Sequence, residues 1–132
     1  DKLQSLMYGG WASQEDCARE IGRVWNEEKY LIDPHTAVAM SVMRAYRAET
    51  GDKRKCVVAS TASPFKFGRA VASALGISDD ADDFTLCERL SGLTGVPAPT
   101  AISELPTLPV RHRRECDPED MFQELMSEMH FA

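Results

Sequence analysis

The apolar positions of the chain fall into several helical stripes and one short continuous block. Cys17, Ile21, Val24 and Trp25 recur at helical spacing behind Ser13 and Asp16, a capping-box pair, and predict a helix ending near Glu28 or Lys29. Its remaining positions, Glu15, Arg19, Glu20, Arg23 and Glu27, read as a solvated face. Asp33 and Pro34 suit the cap and first position of a second helix, reaching about Thr50. Ala37, Val38, Ala39, Met40, Val42, Met43, Ala45 and Tyr46 make that helix apolar nearly all round, which predicts burial on more than one side.

The continuous block is Cys56, Val57, Val58 and Ala59. A short apolar run with β-branched residues is the pattern of a strand buried on both faces. Directly after it come the hydroxyls of Ser60, Thr61 and Ser63, then Pro64 at the first position of a helix carrying Phe67, Ala70, Val71, Ala74 and Leu75 as far as Gly76. The fold class this predicts is α/β, with about six helices around one central buried strand. Hydroxyls at the carboxyl end of such a strand, facing a helix amino end, lie where α/β sheets bind ligands, and the free N–H groups there favour an anion. Ser and Thr beside a Pro are equally ordinary helix caps.

Beyond Gly76, the acidic run 78–83 precedes a helix with Phe84, Leu86, Leu90 and Leu93, ended by Thr94 and Gly95. Without EF-hand spacing or its central Gly, that run is better explained by helix-start electrostatics than by a metal site. Four prolines between Val96 and Pro109 predict an irregular connection with one short turn near 101–105. Asp117 and Pro118 open a last helix whose Met121, Phe122, Leu125, Met126 and Met129 form a stripe expected to dock on the rest of the body.

Composition narrows the function classes. A formal charge of -6 over 132 residues argues against a general affinity for nucleic acid and leaves small-molecule chemistry as the default. The basic residues 53–55 and the run 111–114 read as solvated surface and ion-pairing groups respectively. Four cysteines, Cys17, Cys56, Cys87 and Cys116, stand far apart with no C-x-x-C pair, which favours reduced, buried thiols in a cytoplasmic protein and no metal. The chain begins at Asp1 and holds no signal peptide or long apolar run, so it reads as a soluble segment, 1–132, of something longer, with no membrane partner. His35 and Thr36 are polar residues in the first turn of an otherwise apolar helix. On the residues alone, His35 is a group that bonds locally or faces water.

Two stretches carry a resemblance. Tyr30-Leu31-Ile32-Asp33-Pro34-His35-Thr36-Ala37-Val38 and Ser60-Thr61-Ala62-Ser63-Pro64-Phe65-Lys66-Phe67, in that order, resemble the carboxyl-terminal part of threonine synthase, one of the fold-type-II pyridoxal-phosphate enzymes. Two positions depart from the family's habit, which often has a His in place of Ser63 and a small residue in place of Phe65. The resemblance covers most of the chain and implies the helix-rich end of a catalytic domain whose upstream portion, with the Schiff-base lysine, is not in this sequence. It implies pyridoxal 5'-phosphate as cofactor and conversion of O-phospho-L-homoserine and water to L-threonine and phosphate, the fragment itself being inactive. Its partners would be that substrate and the rest of its own catalytic domain.

By the same resemblance Thr61 matches the hydroxyl facing the cofactor ring nitrogen, with Ser60 as runner-up. His35, Thr36 and Lys66 become candidates for the border of the substrate cleft, Lys66 either pairing with a carboxylate or neutralising substrate phosphate. Two other readings compete: another fold-type-II enzyme of dehydratase or sulfhydrylase type, and a non-catalytic helical interaction module.

Overall fold

The computed structural model describes the chain except residues 1, 4, 79, 112 and 130–132. Six α-helices follow one another among the described residues, with short 3-10 turns before the third and sixth and after the fifth. Helix α1 is Gln14–Glu28, and its capping box is complete: Asp16 N–H donates to Ser13 Oγ, while Ser13 N–H donates to the Asp16 carboxylate. It closes on Lys29 in the left-handed region at φ 54°. Helix α2 is Pro34–Thr50, capped by Asp33 and ended by Gly51 at φ 70°, a conformation that suits glycine. Helix α3, Gly68–Ala74, is entered through the 3-10 turn Pro64–Phe67. Helix α4 is Asp83–Thr94, capped by Asp82, and α5 and α6 are Thr100–Ser103 and Met121–Glu128.

Helix α1 packs against α2 and α3, and α3 packs against α4. The core lies between them and is built from Ile21, Val24, Leu31, Ile32, Ala37, Phe65, Val71, Cys87 and Leu90. Leu86 and Leu90 are fully buried, each contributing on the order of 1.5–3 kcal/mol through apolar area withdrawn from water. Glu20 is buried as well, contrary to its expected place on the solvated face of α1. Arg23 donates to both its oxygens, and Arg44 of α2 stands 3.7 Å away, so the carboxylate is paired within the α1–α2 seam.

The central strand is not there: among the described residues no strand forms, and the fold is helical rather than α/β. Residues 55–61 run as irregular backbone, Val57 is 95% exposed and Cys56 is exposed. A strand needs a neighbour to pair its N–H and C=O groups, and none of the described elements offers one. Cys56 is therefore not the buried thiol expected; Cys87 is, Cys17 is half-buried, and Cys116 is exposed, all four being free.

Two other expectations are corrected. Helix α2 packs against α1, but of its residues only Thr36 and Ala37 are buried, while Ala39 and Ala45 are exposed. Helix α6 does not dock on the body: Met121, Phe122, Leu125 and Met129 are all more than half exposed, and the helix packs mainly on its own preceding turn. Of the basic run 111–114, Arg114 makes the expected ion pairs, with Glu124 and Glu128, and so holds the helix to the chain before it; residue 112 lies outside the described residues. No helix among the described residues is long and apolar enough to cross a membrane.

Candidate functional site

The two motifs meet at the start of α2. Asp33 is fully buried, and its carboxylate accepts four hydrogen bonds from the two residues that follow Pro34. Oδ1 takes Thr36 N–H at 3.2 Å and the Thr36 hydroxyl; Oδ2 takes His35 N–H at 3.0 Å and His35 Nδ1 at 2.9 Å. Burial alone would raise the Asp33 carboxyl, but the donors on Thr36 and His35 outweigh it and hold the group below the usual carboxylate range.

The network continues into the second motif. Thr36 Oγ1 lies 3.0 Å from Ser60 Oγ, joining the first turn of α2 to the loop 24 residues later. Thr36 has one hydroxyl proton, and a carboxylate can only accept, so that proton belongs to Asp33. The bond to Ser60 then uses the Ser60 proton. The hydrogen bonds run one way, from Ser60 to Thr36 to Asp33.

Thr61, one position on, is exposed, and its hydroxyl has no protein partner among the described residues. Its proton is available to a ligand; the proton of Ser60 is committed.

The 3-10 turn brings one more contact. The Phe67 ring meets the His35 imidazole edge-on, centroids 4.9 Å apart. His35 is nevertheless 70% exposed, with its Nδ1 side turned to the carboxylate. Lys66 is exposed and has no ion-pair partner among the described residues, so the structure does not join it to His35, Thr36 or the hydroxyl pair. The start of this turn is not an open anion site either: Ser63 takes Phe65 N–H on its Oγ and Lys66 N–H on its carbonyl.

Sequence reasoning gave Asp33 only the part of a cap, and it is the centre of the site. The signal was present in Asp33-Pro34-His35-Thr36, because side chains two and three positions after a cap can reach back to it as their backbone N–H groups do. Phe67, which fixes the imidazole from the other side, could not have been found from spacing, since it comes from a different element. The acidic run before α4 is engaged in helix capping and ion pairing. Asp82 caps α4 through Phe84 and Thr85, Asp80 pairs with Arg89 and Asp83 with Arg69, residue 79 lying outside the described residues. Among the described residues no group of three or more His, Cys, Asp or Glu side chains is placed to hold a metal ion.

The family model described as threonine synthase, C-terminal, matches residues 36–112. Thr36, Ser60, Thr61 and Lys66 fall inside that match, and Asp33 and His35 immediately precede it. Among curated proteins the chain is similar to threonine synthase-like 1 of Mus musculus, 37% identical over 81 residues, a stretch that covers 60% of this chain and 10% of that protein. The protein of the same name from Homo sapiens is 35% identical over 81 residues, with the same coverage. The match thus spans about a tenth of the length of these curated relatives.

Proposed function

The chain belongs to the threonine synthase family, matching its C-terminal part, and from that premise we propose that it forms the carboxyl-terminal portion of an enzyme making L-threonine and phosphate from O-phospho-L-homoserine and water. The observation that carries this reading is the unequal state of two neighbouring hydroxyls. Ser60 spends its proton on Thr36, while Thr61 keeps its own.

Pyridoxal phosphate, when bound, supplies the electron sink that such chemistry requires. The residues present here fit one end of that cofactor. A pyridine nitrogen that is not protonated accepts a hydrogen bond, and of the two hydroxyls only Thr61 has a proton to give. A neutral hydroxyl donates without favouring the charged form of the ring, as a carboxylate would. The nearby carboxylate, Asp33, is buried and fully engaged by four donors, so it does not compete for that role.

Ser60 and Thr36 serve the site by holding the loop. Their bond ties the irregular backbone carrying Thr61 to the first turn of α2, and the buried carboxylate fixes the direction of that bond. Lys66, exposed and unpaired among the described residues, is free to meet an anion such as a substrate phosphate.

The test is phosphate and threonine release from O-phosphohomoserine by the intact polypeptide that contains this chain, with cofactor absorbance recorded. Wild type is compared with Thr61→Val and Ser60→Ala. The expected result is turnover in the wild type, lost largely in Thr61→Val with cofactor still bound, and much less affected in Ser60→Ala. Equal turnover in wild type and Thr61→Val would remove Thr61 from the ring nitrogen. Absence of both turnover and a cofactor band in the wild type would remove the enzymatic reading.

A further inference from the structure

We infer that Asp33 is a positioning residue for His35: it holds the imidazole in the tautomer with the proton on Nδ1, leaving a bare Nε2 to accept a hydrogen bond from a ligand hydroxyl or water. For its ligand this rests on the enzymatic reading above; for its geometry it rests on the residues alone.

A helix cap needs only that the cap side chain accept backbone N–H groups of the first turn. Asp33 does this with His35 N–H and Thr36 N–H, and α2 would be capped if nothing more were present. The His35 ring is a further, separate attachment, 2.9 Å from Nδ1 to Oδ2. Because a carboxylate has no proton to offer, Nδ1 must carry one, and the neutral ring is then unprotonated at Nε2.

The ring is also restrained from its other side. Phe67 meets it edge-on at an interplanar angle of 62°, from an element outside α2. An imidazole that is 70% exposed gains little from burial, and restricting its rotation costs side-chain entropy. The Nδ1 bond helps satisfy the buried Asp33 carboxylate, but the Phe67 contact on the other side adds nothing to that bond. The two together leave the acceptor atom of an exposed ring already aimed, as a ligand-facing group requires. The location agrees: Thr36, the next residue, holds the loop that presents Thr61.

The test exploits the difference between a carboxylate and an amide. In Asp33→Asn an amide oxygen in the Oδ1 place still accepts from Thr36 N–H and keeps that part of the cap. The NH2 in the Oδ2 place gives up the His35 N–H bond and donates to Nδ1, so the proton should move to Nε2. The chain holds three histidines, so imidazole nitrogen NMR of the labelled 132-residue chain, assigned with His35→Gln, reads the tautomer directly. The expected result is Nδ1–H in wild type and Nε2–H in Asp33→Asn at unchanged helix content. An Nε2–H tautomer in wild type, or no change in the variant, overturns the inference.

If Asp33→Asn does not fold, the wild-type tautomer still tests the positioning half, and His35→Gln in the intact polypeptide tests the functional half, the ring being exposed. Loss of about 100-fold in kcat, the lower range for proton-handling groups, is expected. A loss smaller than about tenfold in kcat, or one confined to KM, overturns the functional half. Should the intact wild type show no turnover of O-phosphohomoserine, the proposed function fails, and the NMR comparison still decides the tautomer.

Discussion

Thr36 and Ser60, 24 residues apart, share one hydrogen bond of 3.0 Å, and that bond joins the two motifs of the chain. Its direction follows from Asp33, which takes the Thr36 proton and obliges Ser60 to donate. Three side chains thus act as a unit, and removing the middle one affects both neighbours. Thr36→Val keeps the shape of the residue while depriving a buried carboxylate of one donor. The expected cost is about 1–3 kcal/mol of unfolding free energy, because a buried charged acceptor loses one of its four donors. Urea unfolding monitored by circular dichroism measures it, and a variant as stable as wild type would show that the network contributes nothing to the fold.

The same carboxylate gives the chain an acid-sensitive element. Burial opposes ionisation of Asp33, but hydrogen bonds from Thr36 and His35 win and lower its pKa below the ordinary value. The folded state then binds the proton less readily than the unfolded chain. Its contribution is complete above the unfolded carboxylate value of about 4 and fades as pH falls through the lower folded value. The stability gap between wild type and Asp33→Asn should be constant from neutral pH down to about pH 5 and narrow below about pH 4. A gap that stays constant or widens in acid would contradict the argument.

Gly68 opens α3 where that helix crosses α4, and a Cβ built on it would lie 2.9 Å from the Cys87 sulfur. Cys87 cannot easily retreat, since it is buried and its thiol donates to the Phe65 carbonyl at 3.5 Å. Burial first, and the charge of Asp83 second, push that thiol up, so it stays protonated and can keep this bond at neutral pH. Gly68→Ala should cost about 1–3 kcal/mol through overpacking. Adding Cys87→Ala should return part of that loss, a coupling on the order of 1 kcal/mol in a double-mutant cycle. Strict additivity of the two substitutions would mean that the helices separate by another route.

Helix α6 touches little beyond its own turn and the Arg114 ion pairs, and its apolar stripe is exposed. Ending the chain after Cys116 should therefore change the unfolding free energy of the helical body by no more than about 0.5 kcal/mol, the range of surface changes. A clear loss of stability in the truncated chain would mean that the stripe docks on the body in solution.

The local grammar of the chain was legible because capping and turn chemistry act within a few residues. Ser13 with Asp16, Asp33 with Pro34, and the glycines 51 and 95 mark the ends of α1, α2 and α4 where the structure has them. Thr36 and Ser60 were legible as candidates, though not as partners.

What failed were statements about neighbours. The run 56–59 has the composition of a buried strand, yet strand formation is decided by what lies beside it, and here nothing described pairs with it. Glu20 reads as surface until Arg23 and Arg44 close over it, and α6 reads as core-facing until the body offers it no groove. The sequence by itself determined where the helices start and stop and which polar residues gather near their ends, since those choices are made by hydrogen bonds spanning two to four positions. Only the tertiary structure decided that the Asp33 cluster reaches Ser60, that Ser60 spends its proton and Thr61 keeps its own, and that Phe67 fixes His35. Each of these depends on contacts between segments that the order of residues does not bring together.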